Sequence, residues 1–129
     1  MIELHGWLTI SETCRDEDLL SQAEIDDINQ KINKIIANSN SDIELQYMNG
    51  TAFIRTLLCS NHHTKQVDSV IETYKNISKV ATGSYGCIYL RDNEDTEHYN
   101  EFQMYLFKRG DCIYKIDKDF SPCIPVIED

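Results

Sequence analysis

Two stretches of the chain carry aliphatic residues at the spacing of an α-helix, and this pattern limits the possible folds more than any other feature. The first stripe consists of Ile25, Ile28, Ile32, Ile35 and Ile36. The second stripe consists of Val67, Val70, Ile71, Tyr74 and Ile77. Spacings of three and four residues place each set on one side of a helix. Both stretches are therefore predicted to be amphipathic helices that bury one face.

Charged residues mark the ends of the first predicted helix. Three acidic residues at positions 16–18 crowd its expected start, and Lys31 and Lys34 lie in its last turns. Both placements stabilise a helix through its dipole. The polar run 38–41 is expected to end this helix, and Gly83 is the predicted stop signal of the second one.

The remaining apolar stretches have the two-residue period of β-strands. Ile2, Leu4, Leu8 and Ile10 alternate with polar residues, which predicts a strand at the start of the chain. Trp7 falls on the opposite parity, so it lies either under a second layer or on an open face of the sheet. Further strands are predicted at 43–47, 51–59, 85–90, 102–107 and 112–116.

Turn signals join these strands in pairs. Asn49-Gly50 predicts a hairpin between the second and third strands, and Gly110-Asp111 a hairpin between the last two. The resulting order is strand, helix, hairpin, helix and three more strands, and its first six elements match the split β-α-β arrangement of ferredoxin-like folds. The predicted class is α+β, with a mostly antiparallel sheet of about five to six strands and two amphipathic helices packed on one face. A chain of 129 residues without an internal linker is expected to form one domain over 1–129.

The chain is strongly acidic, with 22 acidic against 12 basic residues and a formal net charge of -10. Such a surface repels phosphate, so direct binding to nucleic acid or to an anionic membrane is not expected. A basic partner is favoured instead. The alternative is that the acidity only keeps the protein in solution.

The five cysteines form no CxxC pair, which argues against a secreted disulfide framework. The N-terminus has no signal-peptide pattern, and no apolar run is long enough to span a membrane. A reduced, cytoplasmic protein is expected.

Three clusters contain residue types that occur in catalytic, metal-binding or phosphate-binding sites. Cys59 with His62-His63 supplies at most half of a zinc site and lacks an oriented base. Glu94 and His98 do not form the H-E-x-x-H pattern, and an acidic connector that meets a cationic partner is a better interpretation. The segment 83–86 matches no phosphate-binding motif. No catalytic residue, metal or cofactor is predicted.

Several short motifs occur in an order that is similar to one known family. The chain opens with His5-Gly6-Trp7 and continues through a block at 83–92, Asn100-Glu101-Phe102 and Lys108-Arg109-Gly110. It ends in a tail, 120–129, whose two prolines forbid a helix, so this apolar tail is expected to lie against the domain. Together these features resemble the immunity protein 7 family, small proteins that neutralise bacterial polymorphic and contact-dependent toxins.

The resemblance implies binding rather than turnover. The implied partner is the C-terminal domain of a large secreted toxin, commonly a nuclease, and a ribonuclease is favoured. Nuclease clefts are basic because they hold phosphate, so an acidic protein can occupy such a cleft. The predicted contact residues are Asp92, Glu94, Asp95, Glu97 and Glu101. The second choice is Asp16, Glu17 and Asp18, with Trp7 or Tyr99 as an aromatic anchor.

Two other functions remain open at this point. One is a small adaptor or regulatory domain that binds a different basic or hydrophobic partner. The other is a hydrolase that uses Cys59 with a histidine, or a metal held by the acidic connector. The oligomeric state is also open, because an exposed sheet face serves a dimer as well as a toxin.

Overall fold

A computed structural model describes residues 1–39 and 42–123 of the chain. The elements follow the predicted order, with two helices and six strands. They are β1 (Ile2–Ile10), α1 (Gln22–Ala37), β2 (Ile43–Met48), β3 (Thr51–Ser60), α2 (Lys65–Val80), β4 (Tyr85–Asp92), β5 (Phe102–Lys108) and β6 (Asp111–Ile116). A short 3₁₀ turn at Glu17–Leu19 precedes α1.

The six strands form one sheet in the order β2-β3-β1-β4-β5-β6, and every neighbouring pair is antiparallel. The first four strands therefore have the ferredoxin-like arrangement, with β1 between β3 and β4. The β5–β6 hairpin extends the sheet beyond β4. The predicted α+β class, with an antiparallel sheet and two helices, is confirmed.

The core lies between the helices and one face of the sheet. The first strand contributes three residues to the core that are at most 1% exposed, namely Ile2, Leu4 and Leu8. The second helix supplies most of the opposing surface through residues that are fully buried, namely Val67, Val70, Tyr74 and Ile77. In α1 only Ile32 is buried, and Ile28, Ile35 and Ile36 are partly buried against the core. The first helix therefore covers its part of the sheet less completely than α2.

The start of α1 differs from the prediction. Ser21 is the N-cap, and it forms a capping box in which its side chain accepts a hydrogen bond from the Glu24 backbone and the Glu24 carboxylate accepts one from the Ser21 backbone. The acidic residues at 16–18 lie in the preceding connection, outside the first turn. Glu24 is the residue that meets the positive end of the helix dipole.

Glycines serve two different purposes in this fold. At the hairpins, Asn49-Gly50 and Arg109-Gly110 have positive φ angles, so the second turn lies one residue earlier than predicted. Gly83 does not cap α2, which ends at Val80. A Cβ at Gly83 would lie 2.3 Å from the Thr13 carbonyl oxygen, so this residue permits close packing of two loops.

No helix among residues 1–39 and 42–123 covers the second face of the sheet. The described part of the C-terminal segment folds towards it: the Phe120 ring lies 6.1 Å from the Tyr89 ring, and the Cys123 backbone donates a hydrogen bond to the Asn100 carbonyl. The expected contact between the tail and the domain therefore holds as far as Cys123. The rest of the predicted tail, 124–129, lies outside the described residues.

Candidate functional site

The connection between β4 and β5 spans residues 93–101 and is held by two aspartates. The Asp92 carboxylate accepts a hydrogen bond from the Glu94 backbone at 3.0 Å. The Asp95 carboxylate accepts two, from the backbones of Glu97 and His98. These two backbone donors lower the pKa of Asp95. We call residues 92–101 the acidic loop.

Asp92 has a different position from the other predicted contact residues. It is only 9% exposed, on the helix-covered side of β4. Its second carboxylate oxygen lies 3.6 Å from His63. Asp92 was expected to touch a partner, but its burial suits it to holding the acidic loop in place.

Three histidines lie against carboxylates at this end of the sheet. His62 is 2.8 Å from Glu94, and His63 is 2.8 Å from Asp68 of α2. His98 is 3.2 Å from Glu101 within the acidic loop. The hydrogen bond to Asp68 raises the pKa of His63, although partial burial works in the opposite direction. These contacts attach the acidic loop to the start of α2.

The histidines do not form a nucleophilic or metal-binding group with Cys59. His62 and His63 precede α2, as expected, and each is paired with a carboxylate. Cys59 is exposed on β3, on the parity that faces away from the helices. Within residues 1–39 and 42–123, no three histidine, cysteine, aspartate or glutamate side chains are grouped to hold a metal ion.

The most accessible side chains of the acidic loop lie in its second half. The Glu97 side chain is 83% exposed, and Tyr99 is 60% exposed. Glu94 and Glu101 are about half as accessible as Glu97 and lie closer to their histidines, at 2.8 Å and 3.2 Å, than Glu97 lies to His98, at 3.8 Å. Within the acidic loop, Glu97 and Tyr99 are thus the predicted residues that the structure leaves most open to a partner.

The second predicted acidic segment lies at the opposite end of the sheet. In the register of β1 and β4, Ile2 pairs with Asp92 and Thr9 pairs with Tyr85. The connection after β1, which carries Asp16 and Asp18, is therefore separated from the acidic loop by the length of β1, about 27 Å. The Asp16 carboxylate accepts a hydrogen bond from the Asp18 backbone. The two segments do not form one acidic patch, and the side chain of Glu17 lies outside the described part of the chain.

Trp7 lies on the open face of the sheet rather than under a second layer. It is 47% exposed, and its ring meets the Tyr85 ring edge-on at 6.3 Å. Beside it, β1, β4 and the end of the described chain enclose an apolar groove of about 440 Å³. The groove is lined by His5, Gly6, Trp7, Cys87, Tyr89, Phe102, Phe120 and Cys123. Of the two positions that the pattern of β1 left open for Trp7, the structure has the one on the open face.

All five cysteines are free thiols. Burial raises the pKa of Cys87 and of Cys112, which keeps both in the protonated, poorly nucleophilic form. Neither helix in the described residues has the length and apolar character needed to cross a membrane.

The fold and these surfaces define a small α+β protein with an acidic loop at one end and an exposed aromatic sheet face. The chain belongs to the immunity protein 7 family, whose model matches residues 1–129, the whole chain. Membership of this family makes it an immunity protein directed against a toxin. No curated protein and no solved structure shows significant similarity to the chain.

Sequence reasoning missed the histidine contacts of the acidic loop. The contacts of His62 with Glu94 and of His63 with Asp92 join residues about thirty positions apart, and the pairing of β1 with both β3 and β4 brings them together. The capping box does have a signal in the sequence, because Ser21 and Glu24 have the S-x-x-E spacing.

Proposed function

We propose that this protein binds the C-terminal domain of a cognate secreted toxin in the cytoplasm and blocks it stoichiometrically, without turnover. The family match over residues 1–129 is the observation that carries this proposal. The finer features are supported by the family resemblance and by the acidity of the chain. The toxin domain is a basic nuclease, with ribonuclease favoured, of the kind delivered by contact-dependent inhibition or by polymorphic toxin systems.

The acidic loop is the proposed contact surface. A nuclease cleft holds phosphate with lysine and arginine, so carboxylates presented together can occupy that cleft and exclude the substrate. Glu97 is the most exposed of these carboxylates. Glu94 and Glu101, which flank it in the sequence, are less exposed. Asp92 and Asp95 hold the backbone that presents them. A net charge of -10 also steers a cationic partner towards the protein.

Tyr99 is the aromatic anchor that best fits this surface. It lies within the acidic loop and is 60% exposed, whereas Trp7 lies on the sheet face. Large aromatic side chains that become buried on binding contribute much of the affinity in protein interfaces. Asp16, Glu17 and Asp18 form the second candidate surface at the other end of the sheet.

The decisive experiment is co-expression with the toxin domain encoded immediately upstream. Cell survival and co-purification of a complex would support immunity, and affinity that falls as salt rises would support an acidic contact surface. Cell death without a complex would overturn the proposal for that pair. In that case the exposed aromatic sheet face would favour the adaptor function instead.

Single substitutions locate the contact. We expect Glu97→Lys to weaken toxin binding by about tenfold or more, because it replaces an attractive charge with a repulsive one. Glu72→Lys makes the same charge change on an exposed position of α2 and serves as the matched control. Tyr99→Ala should weaken binding more than Trp7→Ala. Equal losses of affinity in Glu97→Lys and Glu72→Lys would mean that the acidic loop attracts the toxin only at long range and does not contact it.

A further inference from the structure

A second concave surface lies at the end of the sheet opposite the acidic loop. It is a cleft of about 670 Å³ between α1, the connection that follows β1, and the β2–β3 hairpin. This volume lies within the range of about 300–1,000 Å³ that is common for ligand sites. The cleft exists because α1 packs loosely here, with only Ile32 fully in the core.

The rim of this cleft carries polar groups without partners. Glu12, Asn29 and Asn33 all line it, and their side chains form no hydrogen bond or ion pair with any described residue. The residues that line the cleft include no lysine, arginine or histidine. Asp26 lies on the same side of α1, one turn before Asn29, and adds a second negative charge near the entrance.

Aromatic and apolar side chains complete the walls. Tyr47 is 69% exposed and lines the cleft. Tyr85 also borders the cleft, but its ring packs edge-on against Trp7 on the open face of the sheet. Ile32, Leu45 and Ala52 supply an apolar lining below them. An uncharged ligand would leave the Glu12 carboxylate unpaired, and an anion would be repelled by it.

We infer that this cleft binds an arginine side chain projecting from the toxin. The inference rests on the proposed function and adds a second contact to it. A guanidinium group is planar, so it stacks on the Tyr47 ring, and its five donors suit the carboxylate of Glu12 and the amide oxygens of Asn29 and Asn33. A lysine ammonium fits less well because it cannot stack in the same way.

The cleft and the acidic loop act as separate contacts. The length of β1 keeps them about 27 Å apart. An interface of standard size, about 800 Å² on each partner, extends over roughly this distance, so one toxin domain can reach both. Because distant sites act independently, the losses caused by Glu12→Gln and Glu97→Lys should multiply in the double variant.

The test measures the dissociation constant of the purified, catalytically inactivated toxin domain from the full chain by calorimetry. We expect Glu12→Gln to weaken binding about tenfold or more, since it removes a charge-assisted hydrogen bond without changing shape. Tyr47→Leu should give a smaller loss. Glu72→Gln makes the same chemical change at an exposed position on α2 and should leave the constant unchanged.

A double-mutant cycle identifies the ligand. Each exposed arginine of the toxin domain is replaced by lysine and measured against wild type and Glu12→Gln. For one arginine, the loss of affinity caused by its replacement with lysine should be much smaller in the Glu12→Gln background than in wild type. An unchanged dissociation constant in both Glu12→Gln and Tyr47→Leu would overturn the proposed role of the cleft but not the proposed function. A cycle in which no arginine is coupled to Glu12 would do the same. A wild-type chain that neither binds nor protects would overturn the proposed function as well.

Discussion

The hydroxyl groups of Thr56 and Tyr74 lie 2.9 Å apart and hydrogen-bond to each other in the core. Thr56 is 5% exposed on β3, and Tyr74 is fully buried on α2. Burial raises the pKa of Tyr74 to about 12, so the phenol stays protonated. This bond is a polar contact between the two layers, in a core that is otherwise mostly apolar.

Tyr74→Phe should therefore destabilise the protein. The substitution removes the partner of a buried threonine hydroxyl, and an unsatisfied buried hydroxyl costs about 1–3 kcal/mol. Tyr99→Phe is the matched control, because Tyr99 is 60% exposed and its hydroxyl forms no hydrogen bond with the described residues. The free energy of unfolding in urea measures both changes. An equal effect of the two substitutions would contradict the structural role assigned to the buried pair.

Gly86→Ala should destabilise the sheet at its centre. A Cβ at Gly86 would lie 2.1 Å from the Trp7 carbonyl oxygen, so β1 and β4 would have to move apart. We expect a loss of about 3 kcal/mol or more in the free energy of unfolding. Gly50→Ala provides the contrast, because a Cβ there would meet no atom within 4 Å. The positive φ of 76° at Gly50 is what opposes the substitution, and it costs about 1–2 kcal/mol.

The pairing of His63 should make stability depend on pH. Its pKa is raised above the ordinary 6.5 by Asp68 on α2, and Asp92 on β4 acts in the same direction. The stabilisation is therefore fully present below pH 6.5 and is lost as the pH rises through the raised pKa.

Comparison of wild type with His63→Gln tests this dependence. The difference in unfolding free energy should be larger at about pH 5.5 than at about pH 8.5. Asp68→Asn should remove most of the difference, since the hydrogen bond to Asp68 is the largest cause of the shift. A difference that grows with pH would have the wrong sign for this pair.

The thiols should react with a disulfide reagent in two groups. Cys14 and Cys59 are exposed, whereas Cys87 and Cys112 are partly buried and have raised pKa values. At about pH 8 the first pair should be modified well before the second, because the thiolate is the reactive form. Mass spectrometry of the modified peptides over time follows each site. Rapid modification of Cys87 would show that the open face at β4 is more accessible than the structure indicates.

The strand and helix order could be predicted because each element has a clear period. The stripes of isoleucine and valine indicated α1 and α2, and Asn49-Gly50 indicated the first hairpin. The ends of elements were harder. The acidic run at 16–18 suggested an early helix start, but the N-cap of α1 is Ser21, five residues after Asp16, where a capping box with Glu24 satisfies the helix backbone.

The candidate site was less predictable than the fold because it depends on contacts between distant segments. The sequence indicates that 92–101 is acidic, but it does not indicate that Asp92 is buried or that His62 lies against Glu94. The cleft had no sequence signal at all. It combines residues from β1, α1, the β2–β3 hairpin and β4, and its polar residues are ordinary surface types.

The central position of β1 has a consequence for how such a protein can diversify. Its backbone is hydrogen-bonded on both sides, to β3 and to β4. It connects the end of the sheet that carries the acidic loop with the end that carries the cleft, and these two surfaces have no residue in common. None of the residues that line the cleft belongs to the acidic loop, so we expect substitutions in one to leave the other intact. A lineage of this chain could therefore exchange the chemistry of one end to follow a changing toxin while keeping the other end, and the frame between them, unaltered.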